Sequence, residues 1–228
     1  MTDGPTHIAG PLGKTVDEII AANANNPAPP QIPTDDIVER MDDLRRHRES
    51  LWEQKIPPRF LDAKLGDFDC AADTNVDDVV TAIDAWVDDG ARSNLVILGP
   101  VGTGKTHAAI GAARALHFTG KRIAFWPVVE LLDALRPGAS ELGARDPATA
   151  RESAILILDD LGAERPTDWT AERLYALVNR RWLEELPIIV TSNLEPEDLR
   201  AAVGDRLYSR LAHDAVAVRF SGGDRRRS

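Results

Sequence analysis

The sequence predicts an α/β protein: a parallel sheet covered by helices on both faces. Two observations carry that expectation. Apolar runs of strand length, NLVIL (94–98), KRIAFW (121–126), AILILDD (154–160) and PIIVTSN (187–193), alternate with helical patterns. Strands buried on both faces read as such continuous runs, and helices between them supply the crossovers. Directly after the first run comes GPVGTGKTH, Gly99 to His107, which fits the phosphate-cradling pattern G-x-x-x-x-G-K-[ST] with Gly99, Gly104, Lys105 and Thr106 in register.

Taken in order, residues 1–33 form a Pro-containing segment in which Pro27, Pro29, Pro30 and Pro33 remove backbone donors and favour extended linker conformations. VDEIIAANA within it is a candidate short helix. Residues 34–55 read as a helix opened by Thr34, an N-cap residue type, with Ile37, Met41, Leu44 and Leu51 near one face and Arg45, Arg46 and Arg48 midway. Such a helix either packs on the body of its own chain or docks a partner. IPPRFLDAKLGDFD (56–69) breaks it with two prolines. Val76 to Gly90 is a helix carrying Val79, Val80, Ile83, Trp86 and Val87 inward and ending at glycine. THAAIGAARAL follows the phosphate loop as a helix, VVELLDALRPG follows the second strand, and DWTAERLYALVNRRWLEE precedes PIIVTSN. Between them ASELGARDPATARES (139–153) shows no strong period and reads as a surface excursion.

The chemistry sits at strand ends, where open α/β sheets bind ligands. In the loop Gly99, Pro100, Val101, Gly102, Thr103, Gly104, Lys105, Thr106 and His107, backbone N–H groups turn inward around a β-phosphate and the helix behind presents its positive end. Lys105 is placed for the β- and γ-phosphates and Thr106 for Mg²⁺. Asp159, at the end of AILILDD, completes the metal site, commonly through water. Asp160 is placed to orient or deprotonate an attacking water. Of Thr191, Ser192 and Asn193, a polar side chain senses the γ-phosphate or holds the water; Asn193 reads equally as a cap.

Composition bounds the rest. The 228 residues hold one α/β domain plus an extension, and 43% apolar content supports a core. One cysteine, Cys70, excludes an internal disulfide and a cysteine metal cluster. No apolar run has signal-peptide or membrane-spanning length, so a cytoplasmic protein is expected. A net charge of -10 argues against a general grip on nucleic acid.

These motifs resemble the DnaC/IstB group of AAA+ ATPases, which includes replicative helicase loaders. IPPRF matches the signature that opens the ATPase domain, GPVGTGKTH the Walker A loop, and ILILDDLGAE the Walker B strand. IIVTSNL looks like sensor 1, GDRLYSRL like the box carrying the arginine finger, and FSGGDRRR like sensor 2. Six motifs in order, over roughly Ile56 to Arg227, make the resemblance specific. It implies a five-stranded P-loop NTPase sheet sandwiched by helices, with a short N-terminal helical extension over 34–55 and the ATPase domain over 56–228. It makes Asn193 the sensor 1 residue and Arg210 the arginine finger that reaches a neighbouring subunit's γ-phosphate, with Arg206 supporting or substituting for it. Arg225 becomes sensor 2, with Arg226 the alternative. Departures are Asp160 where AAA+ proteins commonly carry Glu, which suggests slow hydrolysis, the absence of zinc-binding cysteines, and an ending near Arg227 that leaves no room for a large lid domain.

The resemblance implies an ATP- and Mg²⁺-dependent switch that self-associates through the finger, engages a replicative DNA helicase through residues 34–55 and binds single-stranded DNA weakly. VVELLDALR and the excursion after it, with Arg136, Arg145 and Arg151, are the candidate DNA surface. Alternatives are an IstB-type transposition helper on duplex DNA, a small-molecule P-loop kinase, and a nucleotide-binding scaffold without turnover.

Overall fold

The structure is a computed structural model and describes residues 34–70, 74–138, 146–164 and 167–223. The chain divides into two compact units, Met1–Leu44 and Arg45–Ser228. The linker expected over 1–33 lies outside the described residues, as do Arg145, Arg225 and Arg226. Of the first unit, the described part is the opening of helix α1 (Thr34–Glu53). There Ile37, Val38, Met41 and Leu44 are exposed, Met41 by 64%.

In the second unit β1 (Leu95–Leu98), β2 (Ile123–Pro127), β3 (Ile155–Asp159), β4 (Ile188–Ser192) and β5 (Val216–Arg219) form one sheet in the order β2-β3-β4-β1-β5. Every pairing is parallel. The four apolar runs become four of these strands. The fifth strand that the resemblance implies is VAVR, with Leu95 opposite Val216 and Leu98 opposite Arg219. Because β1 lies inside the sheet between β4 and β5, the loop that follows it emerges beside the ends of β4 and, one strand farther, β3.

Alternate residues of β1 feed two separate cores, as a period of two requires. Leu95 and Ile97 join Ile83, Ile110, Phe125 and Ile157 on the face covered by α2 (Thr74–Asp88) and α3 (Lys105–Phe118). Val96 and Leu98 join Leu156, Leu158, Val190 and Leu177 on the other. That face is covered by α4 (Val128–Ala134), α5 (Ala148–Glu152), α6 (Asp168–Leu183), α7 (Pro196–Val203) and α8 (Asp205–Ala212). Burying each of these aliphatic side chains stabilises the fold by about 1.5–3 kcal/mol. The start of α6 is set by a reciprocal cap in which Thr167 Oγ1 accepts from Thr170 N and Thr170 Oγ1 accepts from Thr167 N.

Residues 146–153 depart from the expected surface excursion. They include α5, whose Ala150 is buried in the second core, and Trp126 Nε1 donates to Thr149 Oγ1 at 3.1 Å. Fully buried Arg181 then ties α5 to the strand starts. Its Nη1 donates to Ala150 O and Ser153 O, both at 3.0 Å, and its Nη2 to Pro187 O at 2.9 Å.

The second half of α1 packs on its own chain. Trp52 is buried and donates Nε1 to Leu61 O at 3.0 Å; Arg48 donates to Phe118 O, and His117 Nε2 donates back to Arg48 O at 2.8 Å. From there residues 56–68 run as a strap along one face of α3. His107 contacts Asp67 and Lys64 O, Gly111 faces the Lys64–Leu65 backbone, and Arg114 donates to Leu61 O at 2.6 Å. The spacing 107, 111, 114, 118 is a single helical face.

Candidate nucleotide-binding site

The loop 99–104 turns because its glycines adopt backbone angles closed to other residues. Gly99 has φ +142°, and a Cβ there would meet Phe220 O at 2.5 Å; Gly104, at φ +99°, would meet the Phe68 ring at 2.8 Å. Thr103 Oγ1 donates inside the loop to Pro100 O at 2.9 Å, and no side chain caps α3. With no side-chain cap, the first N–H groups of α3 and the positive end of this 14-residue helix form a setting that suits an anion. The cleft in front measures about 860 Å³ and is lined by Val101, Gly102, Gly104, Lys105, Thr106, Asp159, Asp160 and Asn193 on the loop and strand side.

Across the cleft stand Arg59, Phe60, Asp67, Phe68 and Asp69 of the strap. Phe68 stacks on Phe220 at 5.4 Å and meets His107 edge-on at the same distance. His107 bonds Asp67 Oδ2 at 2.9 Å, which directs its ring to the strap. The carboxyl of Asp67 sits below its ordinary range, chiefly because Lys64 N donates to it, with His107 adding a smaller share. Of these residues the sequence reading anticipated only the His107 position. The signal available was two aromatics within an aperiodic, proline-broken stretch one helix and one strand upstream of a phosphate loop.

Six polar side chains join the strand ends to the loop and the start of α3. Thr106 Oγ1 donates to Asp159 Oδ1 at 2.8 Å, and Thr191 Oγ1 donates to the same oxygen at 2.7 Å while accepting from Asp160 N at 2.9 Å. Asp160 has φ +61°, a conformation Asp tolerates better than most residues, and it swings the second carboxylate out of the strand line. Lys105 Nζ donates to Pro100 O and to Asn193 Oδ1, both at 2.7 Å, and Asn193 Nδ2 donates to Asp160 Oδ1 at 2.5 Å. Burial raises the Asp159 carboxyl above its ordinary range; bonds from Thr191 and Thr106 oppose the rise, Asp160 adds to it and Lys105 offsets it. A half-buried carboxylate beside a hydroxyl is a hard-oxygen pair that suits Mg²⁺.

Arg210 and Arg206 do not line this cleft. Both lie on α8 against α6: the Arg210 guanidinium is 3.8 Å from the centroid of the Trp182 ring, and Arg206 is 5.4 Å from that of Tyr175.

A parallel sheet with a glycine-rich loop between β1 and α3, and paired acids ending β3, defines a P-loop nucleoside-triphosphatase fold. Comparison with known proteins agrees. The family of IstB-like ATP binding proteins matches residues 35–228, and the chain belongs to that family of DnaC/IstB-type AAA+ proteins. It is 30% identical over 142 residues to the phage-like element PBSX protein XkdC of Bacillus subtilis, covering 58% of this chain and 53% of that one. It is 31% identical over 135 residues to the ATP-binding protein of insertion sequence IS21 from Pseudomonas aeruginosa, covering 57% and 51%. The chain thus spans about half the length of these relatives. Among solved structures, the DnaC helicase loader superposes with a TM-score of 0.63 at 22% identity, over 72% of this chain and 100% of that one, a likeness of fold. Among the described residues, no helix is long and apolar enough to cross a membrane.

Proposed function

We propose that the protein is an ATP-driven helicase loader, in which nucleotide binding and slow hydrolysis switch an assembly on and off. The observation that carries this reading is the exposed stripe Ile37, Val38, Met41 and Leu44 near the start of α1. An apolar helix face left in solvent suits helix-in-groove docking.

In this reading the loop N–H groups and Lys105 hold the phosphates of ATP, and Thr106 with Asp159 holds Mg²⁺. The metal neutralises phosphate charge when bound. Asp160, steadied by Asn193, orients the attacking water, and Asn193 reports the γ-phosphate to Lys105 and to β4. Arg210 of a neighbouring protomer supplies a cation to the transferred group. Arg225 remains the sensor 2 residue of the proposal.

Single-stranded DNA is assigned to the groove between α4 and the start of α6. Val129, Leu132 and Trp169 line it together with Asp133 and Glu164, and the Arg136 guanidinium lies 5.8 Å from the Trp169 ring centroid while pairing with Asp133 at 3.2 Å. An indole with a cation over it stacks bases regardless of sequence.

The second reading is an IstB-type transposition helper, favoured by the relative in insertion sequence IS21. The net charge of -10 weighs against coating duplex DNA. The deciding experiment measures binding of the intact chain, with ATP and with ADP, to a purified replicative helicase and to single- and double-stranded DNA. Wild type and a Met41→Glu, Leu44→Glu double variant are compared. ATP-dependent helicase capture lost in the variant supports the loader. Tight duplex binding with no helicase capture assigns the transposition helper.

A further inference from the structure

The two arginines of α8 are held very differently. Arg206 rests over Tyr175 at 5.4 Å, one turn before Arg210, whose guanidinium carbon stands over the Trp182 ring 3.8 Å from its centroid and whose Nε donates to Asn179 Oδ1 at 3.3 Å. Arginine only donates, so the oxygen of Asn179 must face it. Trp182 is itself braced by His213, whose ring meets it nearly edge-on at 5.9 Å and 80°. Among the described residues no acceptor engages the two Nη atoms of Arg210. The guanidinium is therefore fixed by one face and by its stem, while the two tines that pair bidentately with phosphate oxygens stay available.

Its position fits a role outside its own cleft. Asn94, just before β1, donates Nδ2 to Arg210 O at 3.2 Å and to Leu211 O at 3.1 Å, and accepts from Ile188 N at 2.9 Å. The end of α8 is thus latched to the start of β1, whereas the phosphate loop leaves the far end of that strand, about 13 Å away at strand rise.

We propose that Trp182 and Asn179 are positioning residues that hold Arg210 ready for a neighbouring protomer's nucleotide; this rests on the reading of Arg210 as the arginine finger. A long side chain held in its working conformation loses little freedom when it reaches the phosphate. Without the indole face and the amide, Arg210 samples its rotamers and reaches the transferred group only part of the time.

Mixing two inactive chains tests this. Arg210→Ala keeps an intact cleft and lacks the finger; Lys105→Ala lacks a working cleft and can only donate one. Hydrolysis is expected to appear in the mixture. A donor carrying Lys105→Ala with Trp182→Leu is expected to restore about tenfold less at saturating donor, one with Asn179→Ala about threefold less, and one with Trp182→Phe, which keeps a ring face, most of the rate. KM for ATP stays constant, because the cleft being read belongs to the unaltered partner; a merely structural defect would change co-assembly, followed by light scattering. Equal rescue by all donors overturns the proposal and leaves the finger reading standing. No rescue by the Lys105→Ala donor overturns both. If circular dichroism shows Trp182→Leu unfolded, Asn179→Ala decides: equal rescue by that donor overturns the proposal.

Discussion

Asn193 donates to Asp160 Oδ1 at 2.5 Å, so the last residue of one strand motif steadies the second acid of another. Its other atom, Oδ1, accepts from Lys105 Nζ at 2.7 Å. The orientation of the amide is settled by its neighbours, since a lysine only donates and a carboxylate only accepts. One side chain at the end of β4 therefore links Lys105 at the start of α3 with Asp160 at the end of β3.

Asn193→Ala is accordingly expected to lower kcat by about two orders of magnitude while the affinity for ATP changes little. The loop N–H groups and the start of α3, which hold the phosphates in the proposed function, remain in place. Steady-state hydrolysis beside equilibrium binding of a fluorescent ATP analogue checks this. A weakened affinity with unchanged kcat would assign Asn193 to ground-state binding instead.

Asp159→Asn is expected to abolish hydrolysis yet raise the melting temperature of the nucleotide-free protein. Burial holds the Asp159 carboxyl above its ordinary range, so its ionised form costs stability in the folded state. A raised folded pKa means that the fold binds the proton more tightly than the unfolded chain. This contribution is present at low pH and is lost as pH rises from the ordinary carboxylate value through the raised one. Asparagine keeps an acceptor for Thr106 and Thr191 and has no such dependence. Melting curves of both proteins across the mildly acidic range should diverge in that direction; parallel curves would remove burial as the cause.

Much of the site was legible because its signals are local. Gly99, Gly104, Lys105 and Thr106 sit within one loop, and Asp159 and Asp160 end one apolar run. The strap was not, since residues 56–68 have neither period and gain their place only by packing on α3. β5 escaped because four residues at a sheet edge, with Ala217 and Arg219 exposed, carry too little apolar pattern. Adjacent arginines in NRRW show the limit clearly. Arg180 pairs with Glu184 at 3.0 Å on the surface, whereas Arg181 is fully buried, and only the helix orientation separates them.

Gly111→Ala tests the strap. Alanine is the better helix former by about 1 kcal/mol, so propensity alone predicts a more stable protein. A Cβ at this position would stand 2.9 Å from Leu65 N and 3.0 Å from Lys64 C, both backbone atoms. The strap must then move off α3, at a cost of about 1–3 kcal/mol that offsets or exceeds the gain. The expected result is an unchanged or lower melting temperature together with weaker ATP binding, because Phe68 and Asp67 move with the strap. A rise of 2–4 °C, roughly what 1 kcal/mol produces in a chain of this size, would show that the contact yields freely.

Arg181 sets two physical effects against each other. Its guanidinium is fully buried, and burial pushes its pKa down to about 10, with Glu184 acting the other way. Replacing a buried ion pair by apolar residues often stabilises a protein, which argues that Arg181→Met should be tolerated. The partners here, however, are the carbonyls of Ala150, Ser153 and Pro187, which no side-chain substitution removes. Leu156 N still donates to Pro187 O at 3.4 Å, but Ala150 O and Ser153 O lose their donor; each buried carbonyl so left costs about 1–3 kcal/mol, and together they outweigh the relief of no longer burying a cation. Arg181→Met is therefore expected to lower the stability by about 3 kcal/mol or more. Arg181→Lys should recover little, because a single ammonium cannot reach carbonyls on both sides of the planar fork. Chemical denaturation of the three proteins decides it. A methionine variant as stable as wild type would mean that those carbonyls find other donors, and that the link between α5 and the strand starts does not depend on this residue.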